Sequence, residues 1–340
     1  MRPDYQRWPL PVRGAPTSPV WRTEAFEAEL AQWCATVLGR EVCLESHKVR
    51  CWSAVWRVVT DEGSYFAKQN CPGQAFEATL LPVLAGLSER IVPVTAFNAE
   101  RGFLLTPDQG PVLGETVGDD LAPWVAIARE GALLQRELVG HVDDLEGAGC
   151  TRLGAAETAS YVATRTEQYA ALPAGDRRHL DDEGAKALRR LLPEVERWAD
   201  QVLALEMPLT LNHSDLHEHN VFASGGGLRF FDFGDAVVSE PLSVLLTTLR
   251  ALCEVLACAA DDPRVAAVSD AALEVWSDLA PVAEMRAALP AALQLGKVAR
   301  SESWARCWPS VTEEEDEQSG GYATGWLREL SAPPLQELAS

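Results

Sequence analysis

From His213 to Asp235 the chain reads HSDLHEHNVFASGGGLRFFDFGD, and no other stretch constrains the fold as tightly, because it sets a loop, a hairpin and three polar groups in a fixed order. Residues 221–224 and 228–231 are short β-forming runs. Gly225, Gly226 and Gly227 between them supply the freedom at positive φ that a tight reversal needs. The stretch therefore reads as a hairpin. With its turn centred on Gly226, Asn220 faces Asp232 across the open end. Their side-chain oxygens can share one cation, since magnesium is commonly held by one or two carboxylate or amide oxygens from protein. Asp215 lies five residues before Asn220, in a segment whose apolar residues follow neither helical nor alternating period. A loop carboxylate beside a bound cation is placed to accept a proton.

The order His213-x-Asp215-x-x-x-x-Asn220, followed past a short hairpin by Asp232-Phe233-Gly234, resembles the catalytic and metal-binding loops of the aminoglycoside phosphotransferase family. These are small-molecule kinases related to protein kinases. The resemblance implies an α+β, bilobal, protein-kinase-like fold, with a small β-rich N-terminal lobe and a larger, mostly helical C-terminal lobe. It implies ATP and Mg2+ as cofactors, Asp215 as the catalytic residue, and Asn220 and Asp232 as metal ligands. The plain alternative is a chance loop of three histidines and two acids. A zinc site on His213, His217 and His219 is the other alternative, but no second ligand cluster accompanies it.

The resemblance also requires a lysine on an upstream strand. The chain has four lysines, at 48, 68, 186 and 297, among 29 basic residues. Residues 54–60 and 64–69 read as strands joined by a turn at Asp61-Glu62-Gly63, which puts Lys68 near the end of the second. A helical run at 74–89 follows and carries Glu77 near its start. By resemblance Lys68 reaches the α- and β-phosphates while Glu77 holds it in position. Taken singly, each would read as a surface residue. No GxGxxG precedes them. The segment 48–53 between two strands contains no glycine, and Ser53 is the candidate phosphate ligand there, through its hydroxyl and backbone N–H. Trp52 is open to a core role.

Residues 101–111, RGFLLTPDQGP, read as an apolar strand that stops abruptly. By resemblance this is the hinge, at about 104–112, with Leu105 and Thr106 beside the adenine. Pro107 has no N–H to offer the base. The division is then 1–106 for the nucleotide-binding lobe with its N-terminal extension, and 107–340 for the catalytic and acceptor-binding helical lobe. A chain of 340 residues is long enough for two packed cores.

Helical patterns cover 23–38, with Phe26, Leu30, Trp33 and Val37 on one face, and 123–142, 154–172, 181–205, 242–259 and 265–279. Trp304 and Trp308, four apart, suit one face of a helix at 300–308. The acidic run at 313–317 reads as a solvated loop, and the proline-rich first 19 residues have no apolar core of their own. No stretch spans a bilayer or has the h-region of a secretory signal, and eight scattered cysteines form no CxxC pair, so a cytoplasmic protein without a disulfide framework is expected. The formal charge of −21 argues against nucleic acid as a partner. It is compatible with a cationic acceptor, although acidity also serves solubility. The expected partner is a small-molecule hydroxyl acceptor, with no nucleic acid or membrane, and the chain a monomer or homodimer. The acceptor expected by resemblance is an antibiotic or an aminosugar. A sugar or amino-alcohol kinase of metabolism, or a silent ATP-binding module, is the alternative.

Overall fold

The computed structural model describes residues 2–118, 120–224 and 227–335. After a single helical turn, α1 (Ser18–Trp21), comes α2 (Glu24–Leu38). It starts where the Thr23 hydroxyl accepts the N–H of Phe26, and it stops at Gly39, whose φ of 67° suits a residue without Cβ. Next come β1 (Cys43–Val49), β2 (Ser53–Thr60), β3 (Gly63–Asn70), α3 (Glu77–Leu87), β4 (Ala96–Asn98) and β5 (Phe103–Pro107). The strands form one antiparallel sheet in the order β1-β2-β3-β5-β4.

One face of this sheet is a small core. Ala54, Trp56, Val58, Ala67, Phe103 and Leu105 pack there against Trp21, Phe26, Leu30 and Cys34. Alternation along the strands puts their neighbours on the other face. The register pairs Ser53 with Asn70, Val55 with Lys68, and Lys68 with Leu104, so these residues share the face that bears Lys68.

The remainder is mostly helical: α4 (Leu121–Glu137), α5 (Val142–Gly147), α6 (Ala155–Ala170), α7 (Asp182–Leu203), α8 (Leu245–Val255), α9 (Pro263–Leu273), α10 (Val282–Cys307), α11 (Glu313–Ser319) and α12 (Tyr322–Arg328). Three short strands, β6 (Thr151–Arg152), β7 (Thr210–Asn212) and β10 (Val237–Ser239), form a second sheet. The pair β8 (Val221–Ser224) and β9 (Gly227–Phe230) forms the hairpin. Fold and class are those expected, α+β and protein-kinase-like, with a β-rich N-terminal lobe and a helical remainder. Among the described residues no helix is long and apolar enough to cross a membrane.

Two local expectations are corrected. The hairpin register pairs Val221 with Phe230 and Ala223 with Leu228, one residue away from the pairing centred on Gly226. Asn220 is consequently level with Phe231, whose N–H donates to the Asn220 carbonyl at 3.3 Å, and Asp232 follows past the ladder. The turn residues Gly225 and Gly226 lie outside the described residues. The acidic run at 313–317 is helix α11, not a loop. Thr312 and Glu315 form a reciprocal cap, with hydroxyl to N–H at 3.1 Å and N–H to carboxylate at 2.9 Å, and acidic side chains favour a helix N-terminus.

The N-terminal extension finds its core elsewhere. Trp8 is 3% exposed within the large helical core and meets Tyr161 edge-on, ring centroids 5.0 Å apart. The carbonyls of Trp8, Pro9 and Pro11 accept hydrogen bonds from Gln168 (2.6 Å), Arg165 (2.8 Å) and Arg178 (2.8 Å). Backbone N–H groups of Gly14 and Thr17 donate to the carbonyls of Pro309 and Ser310. Prolines withhold donors but leave carbonyls free, so this strap is held by side chains from α6 and from the loop that follows it.

Candidate active site

Lys68 joins the two parts of the molecule. Its Nζ lies 2.6 Å from Glu77 Oε2 on α3 and 2.5 Å from Asp232 Oδ1 beyond the hairpin. Burial opposes the ammonium charge, but the two carboxylates hold it above its ordinary range. Glu77 has a second task, because its Oε1 accepts the N–H of Phe233 at 2.9 Å and so positions the Asp-Phe-Gly turn. Asn70, next on the same sheet face, donates to Glu77 Oε2 at 2.5 Å. Asp232 adopts φ 65° and ψ 61°, a left-handed conformation that aspartate tolerates better than most residues. Burial would raise its carboxyl, and Lys68 brings it below the usual range.

The loop from His213 to Asn220 is fixed from beneath. Ser214, itself left-handed at φ 62°, gives its carbonyl to the Thr247 hydroxyl at 2.9 Å, and Leu216 gives its carbonyl to Thr248 at 2.7 Å, both on α8. His213 is 3% exposed. Its Nε2–H donates to the carbonyl of Phe231 at 2.8 Å, and its Nδ1 accepts the N–H of Asp215 at 3.4 Å. Asn220 spends its amide N–H on the carbonyl of Asp215 at 2.9 Å, which leaves Oδ1 as the oxygen it could offer a cation. That oxygen and the Asp232 carboxylate are hard donors of the kind magnesium takes. Among the described residues no group of three or more His, Cys, Asp or Glu is arranged to hold a metal.

Asp215 is held at both oxygens, Oδ1 by Arg300 Nη1 at 3.1 Å and Oδ2 by His217 Nε2 at 3.7 Å. Burial would raise its carboxyl, but Arg300 and then His217 drive it well below the usual carboxylate range. Asp215 in turn works against ionisation of Asp232. The imidazole of His217, disfavoured as a cation by burial, is pushed up to about 9 by Asp215 and Glu218.

Sequence reasoning missed the groups that tie this loop to α10. Arg300 Nη1 also contacts Asp235 Oδ2 at 2.5 Å, Ser303 donates to Asp235 Oδ1, and Gln74 donates to the same oxygen at 2.5 Å. Arg300 and Ser303 are two of six buried polar or charged residues between Gln294 and Ser303 on this helix, so nothing local singled them out. Of the expected nucleotide contacts, Ser53 and Thr106 are on the face that bears Lys68, Thr106 level with Phe66. Leu105 is a correction. Its side chain is fully buried in the small core on the opposite face from Lys68, and its carbonyl accepts the N–H of Thr95 at 2.8 Å. Trp52 packs on that core and meets Trp304 edge-on at 5.5 Å.

The family model described as phosphotransferase enzyme family, APH, matches residues 51–285, and the chain belongs to that family. No curated protein matches the chain by sequence. Among solved structures, the fold is similar to an ethanolamine kinase from Plasmodium vivax, at 11% identity, 94% of this chain and 91% of that one, with TM-score 0.66. It is also similar to macrolide 2'-phosphotransferase type I, at 16% identity, 87% and 96% coverage and TM-score 0.54. A third likeness is to an amicoumacin kinase in complex with AMP-PNP, Ca2+ and Ami, at 13% identity, 86% and 89% coverage and TM-score 0.54.

Proposed function

We propose that this chain transfers the γ-phosphoryl group of ATP, in the presence of Mg2+, to a hydroxyl of a small molecule. The nucleotide lies between the parts 1–106 and 107–340, with the hinge at about 104–112. The observation that carries this reading is the ammonium of Lys68 suspended between Glu77 and Asp232, with Asp215 bearing on the charge of Asp232. In this reading Lys68 holds the α- and β-phosphates and Glu77 keeps it there, while Ser53 and Thr106 line the nucleotide face. Asn220 Oδ1 and Asp232 hold the cation, which when bound neutralises charge on the triphosphate. Asp215 orients the acceptor hydroxyl and receives its proton. Arg300 and His217 keep that carboxylate ionised, so it is a strong hydrogen-bond partner and a weak base, and positioning outweighs proton abstraction.

Antibiotic and amino-alcohol kinases share this fold, so the acceptor is the open part of the reading. The test incubates the protein with Mg-ATP and aminoglycosides, peptide and nucleoside antibiotics, free aminosugars and amino alcohols, and seeks a phosphorylated product by mass spectrometry. Failure to bind or hydrolyse Mg-ATP would sink the assignment.

A further inference from the structure

Helix α8 ends in a turn that brings two cysteines together. The N–H of Cys258 donates to the carbonyl of Cys253 at 3.0 Å, the N–H of Ala257 donates to the carbonyl of Glu254 at 3.2 Å, and Ala257 takes φ 45°. This is the paired-bond helix stop in which one left-handed residue reverses the chain, and the side chains of the two residues that its outer bond joins meet. Glycine is usual at the left-handed position, because a Cβ is strained there. Here alanine fills it, so the helix end carries strain.

The side chains that meet are both thiols. Cys253 donates its S–H to the sulfur of Cys258, and burial first, then this neighbour, push the Cys253 thiol up to about 12. Cys253 is half-buried, and Cys258 packs in the large helical core at 8% exposure. Other cysteines lack one or the other property. Cys71 and Cys307 also touch, but both are sealed inside the protein, whereas Cys43 is exposed on β1. The pair at the end of α8 has both a partner and a face on the solvent. The same helix carries Thr247 and Thr248, which hold the carbonyls of Ser214 and Leu216.

We propose that Cys253 and Cys258 are a reversible thiol–disulfide site, which locks the end of α8 under oxidising conditions. The inference stands independently of the phosphotransferase reading. The oxidant is a low-molecular-weight disulfide. One protein thiolate attacks it and releases one small thiol, and the second protein sulfur, losing its proton, displaces the other. The two cysteines thus give up two protons and two electrons, and the oxidant leaves as two thiols. A high thiol pKa makes the exchange slow rather than forbidden. The bond closes a short ring that constrains the unfolded chain and secures the strained turn.

The test incubates the folded full chain for several hours with excess oxidised glutathione, quenches with acid, alkylates free thiols and maps the peptides by mass spectrometry. Most molecules are expected to carry the Cys253–Cys258 bond, while Cys43 takes up glutathione and Cys34 and Cys150 stay reduced. The melting temperature should rise by about 2–4 °C, return on reduction with dithiothreitol, and show no such rise in Cys253→Ser. Should Cys253→Ser not fold, Cys258→Ala takes its place, and the peptide map of the wild-type chain decides by itself. Both cysteines left reduced, each capped by its own glutathione, or bonded only after urea is added overturns the proposal, as does the same thermal shift in Cys253→Ser.

Discussion

Lys68 Nζ lies 2.5 Å from Asp232 Oδ1, an ion pair between residues 164 apart in the chain that joins the central strand of the sheet to the acid after the hairpin. Glu77 completes the arrangement at 2.6 Å, so the lysine is already oriented before any phosphate reaches it. Buried ion pairs contribute little net stability, and their value is in fixing geometry.

Replacing Lys68 by Met removes the cation on which the triphosphate is expected to sit. Turnover with Mg-ATP should fall roughly 100-fold or more, the usual scale for deleting a preorganised electrostatic contact. Glu77→Gln should do less harm, because an amide oxygen still accepts the N–H of Phe233. Steady-state kinetics checks both, and wild-type turnover in Lys68→Met would remove the lysine from the mechanism.

Asp215→Asn keeps the shape of the loop while discarding the charge paired with Arg300. Turnover is expected to drop on the order of 100-fold or more. Mg-ATP affinity should change only a few-fold, since Lys68, Asn220 and Asp232 remain. Calorimetry with the nucleotide, set beside the rate, separates the two effects.

His213 gives a pH signature. Burial lowers its pKa below the ordinary value of 6.5, so the unfolded chain takes up a proton more readily than the folded one. The stabilising effect of the neutral ring is complete above pH 6.5 and is lost as pH falls from there through the folded pKa. Protonation also removes the Nδ1 acceptor that holds the N–H of Asp215. Wild-type melting temperature should therefore decline more steeply between about pH 6.5 and 5 than that of His213→Asn. Parallel curves would contradict the prediction.

Trp8→Ala should destabilise the protein by about 3–5 kcal/mol, the usual cost of emptying a buried tryptophan site. Trp8→Phe should cost less, because it keeps a ring against Tyr161 and removes an indole N–H that is buried without a partner. Denaturant melts of both variants test this, and unchanged midpoints would mean that the strap is not part of the cooperative unit.

Asp215, Asn220 and Asp232 could be read together from sequence because they lie within 18 residues on one loop and hairpin, although the hairpin register that the glycines suggested is one residue off. Lys68 and Glu77 were legible for a related reason, a scarce residue type at the end of an alternating strand and an acid at the start of the next helix. The cap Thr312-x-x-Glu315 was equally local and could have been read as a helix start.

What escaped depends on chain segments far apart. Arg300 meets Asp235 across 65 residues, Gln74 meets Asp235 across 161, and Gln168 meets Trp8 across 160. Periodicity cannot say which helix end faces which loop. Even the face of Leu105 was set by its pairing with Ala67 and Ala96. The sequence by itself determined the chemical inventory and the short-range geometry of the loop, because rotations about a few neighbouring bonds decide both. Only the tertiary structure decided how Asp215 is charged, through the arginine that reaches it, because packing of distant helices places one guanidinium beside two acids.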